Sequence, residues 1–114
     1  MTCAQGTIYL AEYPYTDRAG SKVRPVLAVS SNRYNEGDDA VVLPISSAPD
    51  PDDPFAIYIP SDAPWFQQTG LKRASSIKWT KPMTVTSAVL GRRLGTVPPQ
   101  CMDELRRKLA DLFS

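Results

Sequence analysis

The chain has 114 residues and no histidine. The usual general base near neutral pH is therefore missing. Any catalysis must rest on Arg, Lys, Ser, Thr, Tyr or carboxylate groups. Cysteine is scarce: Cys3 and Cys101 stand near opposite ends. Two distant cysteines without a histidine make no metal-ligand cluster, so neither a metal nor another cofactor is expected. The start, "MTCAQGTIYLAEY", has no basic region followed by a long apolar one. No secretion signal is read there, and a cytoplasmic protein with free, buried thiols is expected. Whether the two cysteines pair is left open. No apolar run approaches the roughly 20 residues needed to span a bilayer, so no membrane partner is expected. Neither GxxxxGK[ST] nor GxGxxG occurs, which removes the glycine loops that cradle nucleotide phosphates. Net charge is nearly absent as well. Its formal value of +1 neither demands nor excludes nucleic acid.

What is present suits one modest core. Hydrophobic residues make up 42% of the chain, and its length fits a single domain spanning residues 1–114. "GTIYLAEYP" alternates and ends at Pro14, which predicts a first strand. "YTDRAGSK" is a polar loop turning at Gly20. "VRPVLAVSS" is a second strand headed by Pro25, and "NRYNEGDD" is a turn cluster. "AVVLPISS" is nearly all apolar, as suits a strand buried on both faces. "APDPDDP" is a solvated loop. "FAIYIP" predicts a fourth strand with Phe55, Ile57 and Ile59 on one side. "SDAPWFQQTG" is irregular and "ASSIKWT" is a short fifth strand. "KPMTVTSAVLGRRLGTV" holds one or two more, with turns at Pro82 and Gly91. Five to seven short strands indicate a small barrel or sandwich. In the tail, Met102, Leu105, Leu109 and Leu112 form one helical stripe. Pro98 and Pro99 mark the helix start. Glu104–Lys108 and Asp103–Arg107 are favourably spaced on its other face.

Charge is segregated along the chain. Charged residues from 36 to 53 are all acidic; those from 70 to 95 are all basic, namely Lys72, Arg73, Lys78, Lys81, Arg92 and Arg93. Trp79 lies in the basic set, and Trp65 and Phe66 lie just before it. Cations neutralise phosphates and rings stack on unpaired bases; the plainer reading is a solvated rim with two core tryptophans. If strands two and three form a hairpin, the head of one lies beside the end of the other. Arg24 then approaches Ser46 or Ser47, and a guanidinium beside a hydroxyl can grip a phosphate. The plainer reading of Arg24 is a surface ion pair with Asp17, and of Ser46 a strand-end turn residue.

These pieces in this order resemble the MazF/PemK (Kid) family of toxin endoribonucleases from type II toxin–antitoxin systems. The matching segments are "GTIYLAEY", "RPVLAVS" with "YN" following, "VVLPISS", "GLKRASSIKW", "LGRRLGTV" and the closing helix, over residues 6 to 112. The resemblance implies a mainly β fold: a small SH3-like or CcdB-like barrel with a C-terminal α-helix, acting as a homodimer. It implies metal-independent cleavage of single-stranded RNA at short sequences, by attack of the ribose 2′-hydroxyl. A cognate antitoxin with a disordered acidic tail would be the partner, and DNA would be met only through that antitoxin. Carried over by position, Arg24 matches the catalytic arginine, contacting phosphate and assisting proton transfer. Ser46 matches a position that is usually threonine. Arg18, Lys22, Ser47, Arg73, Ser75 and Lys78 are the expected RNA contacts. Two features depart from the Kid-type branch: Ser75 stands where an acid–base aspartate would be, and a loop histidine is absent. The second reading is therefore a weak or inactive module of the same fold that holds RNA or a protein tail. A third is an unrelated small barrel for protein contact.

Overall fold

The computed structural model describes residues 3–14 and 21–114, with the side chains at 13, 14, 21 and 22 outside that description. In chain order the elements are β1 (Thr7–Pro14), β2 (Ser21–Ala28), α1 (Asn32–Asn35), β3 (Asp39–Ser46), β4 (Ile57–Ile59), α2 (Phe66–Thr69), β5 (Ser75–Ile77), β6 (Met83–Thr86), β7 (Leu90–Thr96) and α3 (Pro99–Leu112). A 3₁₀ turn at Ser87–Val89 joins β6 to β7. The strands form one seven-stranded sheet in the order β4-β5-β3-β2-β1-β7, with β6 also on β3. All of its pairings are antiparallel. The fold is thus the expected mainly β class with a C-terminal helix.

The central strand is β3. One edge carries β2 through Val26↔Pro44, Leu27↔Leu43 and Ala28↔Val42. The other is shared: Asp39–Val42 pair with β6, and Ile45–Ser46 with β5. Pro44 has no N–H to give, and it sits where the partner changes from β6 to β5. The two faces of the strand feed two cores. Leu43 and Ile45 join Ile8, Leu27, Ile57, Ile59, Ile77, Trp79 and the helix residues Cys101, Met102 and Leu105. Ala40 and Val42 join Cys3, Tyr9, Ala11, Val26, Ala28 and Leu90. The apolar run in "AVVLPISS" reflects this double burial.

Several expected elements are corrected in detail. β2 starts at Ser21, so Pro25 lies within the strand, not at its head. It stands next to the last residue paired with β3, where a missing donor disturbs no described β2–β3 pair. Gly91 lies inside β7 and makes no turn. The "NRYN" turn contains α1, capped by Ser31 Oγ accepting from the Tyr34 N–H. Its last residue, Asn35, is buried, takes a hydrogen bond from Ser30 Oγ and donates to the Ser30 carbonyl. Ser30 Oγ in turn accepts from Val41 N–H, which fastens this turn to β3. The stretch read as irregular contains α2, ended by Gly70 in the left-handed conformation at φ 72°. A Cβ there would lie 2.1 Å from the Leu94 carbonyl oxygen, so glycine also allows β7 to pass close by. Both short helices are too brief for a periodic apolar signal.

In α3, Pro98 caps and Pro99 opens the helix as expected. Met102 and Leu105 are buried, while Leu112 is 39% exposed, so the stripe runs off the sheet in its last turn. The expected i,i+4 ion pairs give way to an i,i+3 pair, Asp103–Arg106 at 2.9 Å. Lys108 instead places Nζ 5.9 Å from the centre of the Trp79 ring. Both thiols are free and buried. Burial raises the Cys3 thiol pKa, and burial first, with Glu104 second, pushes that of Cys101 up to about 11. Neither is a poised nucleophile.

Leu105→Ala should therefore lower unfolding free energy by about 2–5 kcal/mol, whereas Leu112→Ala should stay within about 0.5 kcal/mol of the parent. Urea denaturation of the two variants checks this. Equal losses would mean that α3 does not dock through its first turns.

Candidate functional site

The β2–β3 register decides what meets at the rim. Beyond the last pair, Val26↔Pro44, two further residues along each strand are Arg24 and Ser46. Alternation gives Arg24 the face of Val26, and Ser46 the face of Pro44. The two line one open hollow of about 140 Å³, together with Pro44, Ile45 and Lys78. The sequence-derived pairing of Arg24 with Ser46 thus corresponds to a shared surface. Ser46 closes β3 and is paired across to Ser76 of β5. Its Oγ accepts from the Ala48 N–H at 3.2 Å, a small turn that fixes the oxygen and leaves the hydroxyl proton to donate.

Lys78 enters the hollow from the strand end after β5, where its N–H donates to the Pro44 carbonyl at 3.0 Å. Its ammonium pairs with Asp53 Oδ2 at 3.2 Å. Asp53 belongs to the proline-rich acidic loop, so one acidic residue reaches into the basic set. Its other oxygen, Oδ1, accepts from the Phe55 N–H at 2.9 Å. That backbone hydrogen bond, followed by the bond from Lys78, holds the Asp53 carboxyl below its usual pKa.

A second hollow, of about 330 Å³, lies on the other side of the rim. It is lined by Leu10, Pro25, Ser47, Gly70, Leu71, Lys72, Arg73 and Leu94. Pro25 and Ser47 are the chain neighbours of Arg24 and Ser46, so strand alternation directs each pair of neighbours to opposite sides of the rim. Ser47 and Arg73 of the expected RNA contacts meet here. Ser75 stands apart. It is 2% exposed, and its hydroxyl donates to the Arg73 carbonyl at 2.9 Å. Arg18 and Asp17 lie outside the described residues, as does the side chain of Lys22.

The aromatic residues change places. Trp79 is a core residue, with Trp65 and Phe66 packed half-buried on the same cluster. Among the described residues, the exposed rings include Phe113, Tyr34 and Phe55, the last at 59%. Phe55 is linked to the hollow through Asp53 and Lys78. The alternation of Phe55, Ile57 and Ile59 predicts one strand, but β4 begins at Ile57 and Phe55 lies in a turn. The signal was the "DDPF" stretch, since an aspartate two residues before a backbone N–H commonly caps such a turn.

A family model for the PemK-like, MazF-like toxin of type II toxin–antitoxin systems matches residues 4–113. The chain belongs to that toxin family. No curated protein matches its sequence. Solved structures share the fold at low identity. A MazE–MazF complex from Deinococcus radiodurans is 21% identical, with TM-score 0.74, covering 99% of this chain and 97% of that one. An endoribonuclease in complex with its cognate antitoxin, from a mycobacterial species, is 20% identical, with TM-score 0.72 and coverage of 98% and 93%. The Mycobacterium tuberculosis toxin MazF-mt6 is 18% identical, with TM-score 0.72 and coverage of 94% and 95%.

The Asp53 carboxylate gives a pH prediction. Its folded pKa is depressed, so its stabilising contribution is full above the unfolded value of about 3.9 and is lost as pH falls through the folded one. The stability difference between the parent and Asp53→Asn should be constant near neutral pH and shrink in acid below about pH 4. Chemical denaturation at several pH values measures it. A difference that does not change with pH would show that the carboxylate charge is not what holds the loop.

Proposed function

We propose that this toxin-family chain is an endoribonuclease that cuts single-stranded RNA at short sequences, with the scissile phosphate held in the Arg24–Ser46–Lys78 hollow. The observation that carries the reading is the meeting of Arg24 and Ser46 in one hollow, in a chain of this family. A protein without histidine can do this chemistry because the substrate brings the nucleophile. The ribose 2′-oxygen attacks the adjacent phosphorus, and the bond from phosphorus to the 5′-oxygen breaks. The 2′-hydroxyl loses its proton and the departing 5′-oxygen gains one. The products carry a 2′,3′-cyclic phosphate and a 5′-hydroxyl. DNA lacks the attacking group, so RNA alone is a substrate.

The protein's task is to align the strand and stabilise developing charge. Arg24 presents a planar fork that can take two phosphate oxygens at once. A permanently charged guanidinium suits charge stabilisation, and the proton moves through the neighbouring hydroxyl and water. Ser46 keeps the oxygen of the family's usual threonine and lacks only its methyl group. Lys78 adds a second cation when phosphate replaces the Asp53 carboxylate. None of these steps needs a metal. We further propose a cytoplasmic homodimer, restrained by a cognate antitoxin whose disordered acidic tail occupies the same basic rim. Such a tail orders on binding and competes with RNA. Support for that partner comes from the solved relatives held with an antitoxin.

A second reading, a module that binds RNA without cutting it, is favoured by one observation. Ser75, at the position of the Kid-type aspartate, is buried with its hydroxyl engaged by Arg73. Incubation with a long single-stranded RNA in EDTA separates the two. The endoribonuclease reading predicts discrete fragments with cyclic phosphate ends, and a loss of kcat/KM of about 100-fold or more in Arg24→Ala. Arg24→Lys should recover little, because the fork is lost, while Ser46→Thr should remain active. Retention of RNA without fragments would establish the binding module, and full activity in Arg24→Lys would refute the bidentate grip.

A further inference from the structure

Phe55 leaves an aromatic ring 59% exposed beside the basic hollow. It is anchored rather than loose. Its N–H donates to Asp53 Oδ1 at 2.9 Å, and Asp53 Oδ2 takes the Lys78 ammonium at 3.2 Å. Before RNA binds, one carboxylate therefore ties the turn that carries Phe55 to a lysine lining the Arg24–Ser46 hollow. When phosphate takes that lysine, the Asp53–Phe55 hydrogen bond and the Trp79 contact still hold the ring. From the side, the ring rests on Trp79, with centroids 6.1 Å apart and planes at 52°. Trp79 is itself fixed in the core, with Lys108 against it. A tilted contact of this kind steadies a ring and leaves much of its surface open.

We propose that Phe55 is a stacking platform for one nucleobase of the RNA strand whose phosphate lies in the Arg24–Ser46–Lys78 hollow. The inference rests on the RNA reading above and adds a base subsite to it. The neighbouring cations favour a polyanion over a neutral partner. An exposed ring beside phosphate-binding cations is the arrangement that holds single-stranded nucleic acid, because each base offers a face to stack while the backbone is neutralised alongside. Every base has such a face, so Phe55 sets affinity and strand position and does little to choose the base.

The test uses uncleavable 2′-O-methyl RNA oligomers of adenine or uracil, and an oligomer of equal length with abasic 2′-O-methyl sugars. Phe55→Ala should weaken binding of the base-bearing oligomers by about 5- to 100-fold. It should leave the abasic oligomer and the thermal midpoint unchanged. Phe55→Tyr and Phe55→Trp should bind as the parent does, and Phe55→Leu should resemble Phe55→Ala. Unchanged affinity in Phe55→Ala would overturn the proposal, and so would an equal loss on the abasic oligomer. A loss confined to an acidic peptide such as poly-glutamate would overturn it too, and would mark the ring as a peptide contact. If the parent binds RNA through Phe55 but does not cut it, the platform stands and only the cleavage reading fails. No binding of any oligomer would remove both.

Discussion

The register between β2 and β3 is the constraint on which the site depends. Val26 opposite Pro44 leaves Arg24 and Ser46 as the next residues on the same face. A slip of one residue would set Arg24 against Ile45 or Ser47, whose side chains point to the other side. The register is held by burial on both faces: Leu27 and Leu43 enter one core, while Val26, Ala28 and Val42 enter the other. Shifting it would expose these apolar groups and bury polar ones. The chemistry at the rim is therefore secured by packing well away from it.

Electrostatics act locally in this protein. The formal net charge is +1, yet Arg24 and Lys78 converge on one hollow. Asp53 reaches from the acidic loop to pair with Lys78, so a carboxylate already rests on a cation that RNA phosphate would seek. Both side chains of that pair are partly solvated, and a partly exposed ion pair is weak enough to be exchanged. The same carboxylate organises the turn at Phe55. One short loop thus links the charge at the rim to the exposed ring.

Much of this was legible in the sequence, for physical reasons. The doubly buried β3 reads as a continuous apolar run, and the docked turns of α3 as the Met102–Leu105 spacing. The meeting of Arg24 with Ser46 follows from a short connection between adjacent strands, which makes a hairpin the default. The elements that escaped depend on local hydrogen bonds that no periodicity reports. The short helix α1 exists through the Ser31 cap and the buried Asn35, and α2 through the left-handed Gly70. Phe55 was misplaced because the alternation of Phe55, Ile57 and Ile59 continues unbroken into the turn. Burial of Ser75 was equally hidden, since a serine in a short strand carries no sign of which face it takes.

The central claim is that Arg24 and Ser46 act as a unit on one phosphate. A double-mutant cycle on RNA cleavage, with Arg24→Ala, Ser46→Ala and the double variant, measures this most directly. Groups that act on the same phosphate give non-additive losses. The account predicts that the double variant is scarcely slower than Arg24→Ala alone. Losses in kcat/KM that simply multiply would contradict it, because the two side chains would then be working independently.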